Sequence, residues 1–125
     1  MKPRKTVLTA HELEIMQIVW SRSRVTVRDV YEELLKKRKI AYTTVMTMMG
    51  ILEDKGYLKK SQGEKAYIYR PAQPKRKVVG SLVNDFVSRV FDGSAKPLLV
   101  HLVENEHLSQ EELEEIARLM KERHP

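Results

Sequence analysis

The sequence predicts a mainly α fold with one small β-hairpin, and it divides the chain into two parts of opposite charge. Three observations lead there. Apolar residues recur at i, i+3, i+4 and i+7 in stretches along most of the chain, the spacing of helices packed on one face. One pair of segments, "YLKK" and "AYIYR", instead alternates apolar and polar residues at strand period. Residues 1–77 hold 18 Lys and Arg against 8 Asp and Glu, a net +10, whereas residues 78–125 hold 5 against 9, a net −4.

Composition sets the outer limits. A chain of 125 residues with 42% hydrophobic content is one domain or two small halves, not a disordered tail. No run approaches the roughly 18 apolar residues of a membrane span. The start "MKPRKTVLTAHE" carries charge without a following apolar segment, so a cytoplasmic protein without membrane insertion is expected. The absence of cysteine removes disulfides and thiolate metal sites and fits a reducing compartment.

Taken in order, "TAHE" offers Thr9 as N-cap with Glu12 three residues later, a capping box, and Leu8 with Leu13 as a hydrophobic staple. Leu13, Met16, Val19 and Trp20 then form the expected buried stripe of a first helix that ends near residue 21 at "SRSR". Thr26 and Asp29 repeat the cap, and Val27, Val30, Tyr31 and Leu34 predict a second helix running to about Arg38. Its basic end, "KKRK" at residues 36–39, suits either the negative end of a helix dipole or a phosphate-facing role.

A third helix is predicted from Tyr42 to Lys55, stopped by Gly56 at C′. Val45, Met48, Met49 and Leu52 form its core face, so Thr43, Thr47, Gly50 and Asp54 lie opposite. Short hydroxyl side chains and a glycine on an outer face are unusual, because an ordinary solvated helix carries Lys, Glu and Arg there. Then "YLKK" and "AYIYR" form the hairpin, joined by "SQGE" with Gly63 in the loop. Helix, helix, helix, hairpin is the order of a winged helix-turn-helix DNA-binding domain, expected over residues 1–74, whose third helix enters the major groove.

That reading accounts for the outer face of the third helix. Thr can hydrogen-bond a base edge and place its methyl against a thymine methyl, and bulk would hold the helix out. Tyr42, Thr43, Thr44, Met46 and Thr47, in its N-terminal half, are the expected base-reading residues; Asp54 is expected to face solvent. Lys55, Lys59, Lys60, Lys65 and Arg70, with Arg28 on the other flank, are the expected phosphate contacts. Tyr67 and Tyr69 serve either the sheet core or base stacking.

"RPAQPKRK" has the composition of a linker and marks a boundary near residues 71–77. Beyond it, Val79, Leu82, Val83, Phe86, Val87 and Val90 make a wide apolar stripe on a helix ending near "FDGSAKP". "PLLVHLVENE" gives a second short helix containing Leu98 and Leu102. Ser109 with Glu112 opens a third helix, on which Leu113, Ile116, Ala117 and Met120 repeat the helical spacing. So few residues enclose such stripes poorly alone; they either dock on the N-terminal domain as a helical lid or pair with a second chain, and the acidic charge favours the second. A homodimer is expected, with residues 75–125 as a three-helix dimerisation domain whose contacts come from Val79, Leu82, Val83, Phe86, Val90, Leu98, Leu102, Leu113, Ile116 and Met120. Two recognition helices would then meet a palindrome.

An enzyme is not expected, and neither a cofactor nor a metal is. His11, His101, His107 and His124 are scattered; His11–Glu12 lacks the second His of a zinc-protease helix, and there is no glycine-rich phosphate loop. Two other classes remain open: a winged-helix adaptor that binds protein without specific DNA affinity, and an RNA-binding module, for which only Tyr67 and Tyr69 offer candidate stacking rings.

The stretches "LTAHELEIMQIVW", "VRDVYEELLKKRKIAYTTVMTMMGILEDKGYL" and "LVENEHLSQEELEEIARLM" together resemble the penicillinase and methicillin-resistance repressors, the BlaI/MecI family, over almost the whole chain. The resemblance implies a repressor that binds a palindromic operator. It also implies a partner, a membrane-bound sensor with a metalloprotease-like domain, which responds to a β-lactam and leads to cleavage of the repressor in its dimerisation region. At the positions of the family's Asn–Phe cleavage pair this chain has His101 and Leu102, a departure from the family pattern. Ile51 and Asp54 stand where many members carry Arg and Lys, which implies a different operator. The C-terminal cysteine motif of a related copper-responsive branch is absent, which excludes thiolate copper sensing.

Overall fold

The computed structural model describes residues 7–123; His124 and the first six residues lie outside that range. Reciprocal capping boxes start the first two helices. Glu12 N–H donates to Thr9 Oγ1 and Thr9 N–H to Glu12 Oε1, opening α1, Ala10–Arg22. Thr26 and Asp29 make the same pair of bonds at the start of α2, Val27–Leu35. Each box satisfies amide groups that the first helical turn leaves without partners.

α2 stops three residues before the expected Arg38. Lys36 N–H bonds the Glu33 carbonyl and Lys37 N–H that of Leu34, so the last turn tightens and the helix closes. Part of the basic run pairs within the protein: Lys36 with Glu33, and Lys37 and Arg38 with Glu14 of α1, while Lys36 and Lys37 stay largely exposed. Lys37 and Arg38 thus tie the end of α2 to α1, whereas Lys36 pairs with its own helix.

α3 spans Tyr42–Asp54 and ends in a Schellman arrangement, with Tyr57 N–H bonded to the Leu52 carbonyl and Gly56 N–H to that of Glu53. Gly56 takes the required positive φ of 88°. The strands β1, Leu58–Gln62, and β2, Tyr67–Pro71, pair antiparallel with Lys59 opposite Arg70 and Lys60 opposite Tyr69. Their loop is residues 63–66, not the expected "SQGE", because Gly63 N–H closes onto the Ala66 carbonyl and Ser61 and Gln62 remain in the ladder. Only glycine fits at 63, since a Cβ there would collide with the Ala66 carbonyl oxygen and with Ile68. Val25, between α1 and α2, exchanges both backbone bonds with Tyr69 and extends the hairpin by one bridge.

The core of this unit is built from Ile15, Met16 and Val19 of α1, Val30 and Leu34 of α2, and Val45, Met49 and Leu52 of α3. Leu8, Val25, Leu58, Tyr69 and Val78 close it. The buried stripe of α1 is thus residues 12, 15, 16 and 19, one step round from the expected one; Leu13 and Trp20 are half-buried, and Glu12 is buried. The "RPAQPKRK" stretch is not a free linker. Pro71 ends β2, Ala72 N–H bonds the Tyr57 carbonyl, Trp20 Nε1 donates to the Gln73 carbonyl, and Gln73 Nε2 donates to that of Gly56. The chain divides into two compact units after Val78, inside α4, Lys75–Phe91.

The second unit contains the rest of α4, then α5, Lys96–Glu104, and α6, Gln110–Arg123. Ser109 and Glu112 form the expected reciprocal cap of α6. Between α5 and α6, Glu106 adopts φ 58° in a second Schellman turn, with His107 N–H on the Leu102 carbonyl. None of the residues of α5 or α6 is buried. Val83, Phe86, Val90, Ile116 and Met120 are exposed, Val90 at 56% and Met120 at 60%, while Val79, Leu82, Leu98, Leu102 and Leu113 are half-buried.

Candidate nucleic-acid interface

α3 presents two chemically different faces. Val45, Met49 and Leu52 are fully buried, whereas Tyr42, Thr43, Thr44, Met46 and Thr47 are all exposed in its first two turns. Met48, expected in the core, is half-buried, and Asp54 faces solvent. A Cβ built on Gly50 would meet nothing within 4 Å, so packing within the chain does not require glycine there. Tyr42 is held from α2: its ring meets Tyr31 edge-on at 5.3 Å between centroids, and the Arg28 guanidinium lies 5.8 Å from its centroid.

The hairpin carries its cations on both faces. Strand alternation puts Lys60 and Tyr67 on the side of buried Tyr69, and Lys59 and Arg70 on the other. Lys60 Nζ sits 4.3 Å above the Tyr67 ring and 3.7 Å from Glu53 of α3. Arg70 donates to Ser61 Oγ. Lys59 and Arg70 are directly opposed across the ladder, a like-charge pairing that destabilises a hairpin unless an anion faces it. Among the described residues no carboxylate pairs with Lys59 or Lys65, and Arg28 makes an exposed pair with Glu32 at 3.6 Å. The two tyrosines separate by role: Tyr69 is 4% exposed and belongs to the core, while Tyr67 is 48% exposed.

Lys55, one of the expected phosphate contacts, has partners inside the unit. Its Nζ donates to Glu12 Oε1 at 2.7 Å and to the Val7 carbonyl. Burial pushes the Glu12 carboxyl up, but hydrogen bonds from Lys55 and the Thr9 amide, with the Lys55 charge, outweigh it and hold Glu12 below the ordinary carboxylate range. A hydrogen bond from Arg22, then the charge of Lys36, lowers Glu33 as well. Burial raises the Tyr69 phenol. Sequence reasoning missed Glu12, Val25, Tyr31 and Glu53 as supports of this surface. Each works through a partner distant in sequence or on another element, and no local spacing announces it.

His101 and Leu102 lie within regular helix in α5; the His101 carbonyl accepts from the Asn105 amide, His101 is exposed and Leu102 half-buried. Among the described residues no group of His, Asp and Glu could hold a metal ion, and no helix is long and apolar enough to cross a membrane.

The sequence model of the family described as penicillinase repressor matches residues 8–122. The chain belongs to the penicillinase-repressor family. It is 27% identical to the penicillinase repressor of Bacillus licheniformis over 111 residues, which cover 89% of this chain and 87% of that protein. It is 37% identical to the transcriptional regulator BlaI of Mycobacterium tuberculosis over 95 residues, 74% of this chain and 69% of the relative. Among solved structures, the DNA-binding domain of the repressor BlaI matches with a TM-score of 0.53 and 28% identity, covering 60% of this chain and 90% of that domain. Penicillinase repressors are transcriptional repressors and not enzymes, and the winged helix of this chain is the architecture of that BlaI domain.

Proposed function

We propose that two copies of this chain bind one palindromic operator in the cytoplasm and block transcription until the dimer is broken. The observation that carries this reading is the outer face of α3, where exposed hydroxyls and uncharged side chains stand in the first two turns with cations at the flanks. Tyr42, Thr43, Thr44, Met46 and Thr47 read base edges; Arg28, Lys59, Lys60, Lys65 and Arg70 neutralise phosphates. The apolar residues left open on α4, α5 and α6 form the contact between copies, since exposed apolar area of this kind marks an association surface. Release follows from separating the half-sites, and a membrane-bound sensor with a metalloprotease-like domain acting near His101–Leu102 is the partner this reading assigns.

The test is binding to the DNA upstream of its own coding sequence and to scrambled DNA of equal length, titrated with salt and with stoichiometry recorded. Two chains per site, a preference for the native sequence and a steep salt slope are expected. Weak and equal binding to both would overturn the reading in favour of a protein-binding winged helix.

A further inference from the structure

A cavity of ≈ 560 Å³ opens between the start of α2, the outer face of α3 and the hairpin, within the first unit. Its volume falls in the range of small-molecule pockets, roughly 300–1,000 Å³. Tyr42 and Met46 of α3 and Tyr67 of the hairpin line it, with buried Tyr69 beside them. Arg28, Lys60 and Lys65 supply cations around it. Two carboxylates face this group, Glu32 at Arg28 and Glu53 at Lys60, so Lys65 is the lining cation without a carboxylate partner among the described residues.

This combination selects a ligand chemistry. Tyrosine rings and a thioether accept a flat aromatic surface. Lys and Arg around such a surface accept a carboxylate through charge-assisted hydrogen bonds. A phosphate group offers no flat apolar face to cover the exposed Tyr67 ring, and a neutral arene leaves the cations unused. We propose that this cavity binds a planar aromatic carboxylate. Because its walls include Tyr42, Met46, Lys60 and Lys65, a bound ligand withdraws them from DNA and releases the operator without cleavage; this second step rests on the operator-binding reading above.

The probe is 2-naphthoate, titrated by calorimetry into the full chain without DNA. One saturable site per chain with a Kd below about 1 mM is expected. The neutral 2-naphthalenemethanol, and acetate, which has no ring, should each bind at least about tenfold more weakly. Tyr67→Ala and Lys65→Gln, both at exposed positions, should each weaken 2-naphthoate about tenfold with the melting temperature unchanged. No saturable binding, equal binding of the neutral ring, or indifference to both substitutions overturns the site. In a separate arm, saturating 2-naphthoate should raise the Kd for operator DNA at least about tenfold. Binding of the probe with unaltered DNA affinity overturns the release step. A chain that takes up the probe and shows no DNA preference supports the ligand site while overturning the operator reading.

Discussion

Lys55 Nζ donates to Glu12 Oε1 at 2.7 Å and fastens the C-terminal end of α3 to the first turn of α1. Glu12 is 5% exposed, so its charge depends on Lys55 and the Thr9 cap for compensation. Removing one partner of a buried pair costs about 3–5 kcal/mol, and Lys55→Met is expected near the lower end, since Lys55 is partly exposed. The same pair fixes a pH dependence. Glu12 has a depressed pKa in the fold, so its contribution is complete above the unfolded carboxylate value and is lost as pH falls through the lower folded one. Urea midpoints measured from neutral to acid pH should fall more steeply for the parent than for Glu12→Gln. Parallel curves would show that this carboxylate is not linked to folding.

Gly50→Ala separates helix stability from DNA approach. Among the described residues nothing outside the helix's own backbone lies within 4 Å of the added methyl, and Ala is favoured over Gly in a helix by about 1 kcal/mol. The variant should melt higher and bind operator more weakly. Higher stability with undiminished affinity would mean that this turn of α3 does not lie against DNA.

Thr47→Ala should cost about 1–3 kcal/mol of discrimination between operator and random DNA. Lys59→Thr should weaken all DNA alike and reduce the salt slope by about 1. It should also stabilise the free protein by about 0.5 kcal/mol, because it removes the like charge facing Arg70. Loss of discrimination in both variants would reject the division between base and phosphate contacts.

If the proposed dimer forms through this face, Phe86→Glu or Met120→Glu should convert it to monomer in sedimentation experiments while leaving the circular dichroism of the helices in place, because both side chains are exposed in the single chain. A dimer of unchanged affinity in both variants would place the contact elsewhere.

Glu106→Gly should stabilise the α5–α6 turn by about 1 kcal/mol, since a non-glycine residue at φ 58° carries a steric penalty that glycine lacks. Thermal unfolding reads this directly; a lower melting temperature would mean that the Glu106 side chain contributes more than its backbone costs.

The features legible in the chain alone are those that short-range physics controls. Thr9 with Glu12, Thr26 with Asp29 and Ser109 with Glu112 cap their helices because donor and acceptor are three residues apart. Gly56 stops α3 because it takes φ of 88°, and Val45, Met49 and Leu52 turn inward because their spacing matches the helical repeat. The contacts between residues far apart in sequence come only with the folded chain: Lys55 on Glu12, Trp20 on Gln73, Val25 on Tyr69, and Lys37 and Arg38 on Glu14. A charged side chain has the same local signature whether it meets solvent, a nucleic acid or a buried partner. Its use is set by which opposite charge the fold brings within reach, and that distance is not encoded in any window of the sequence.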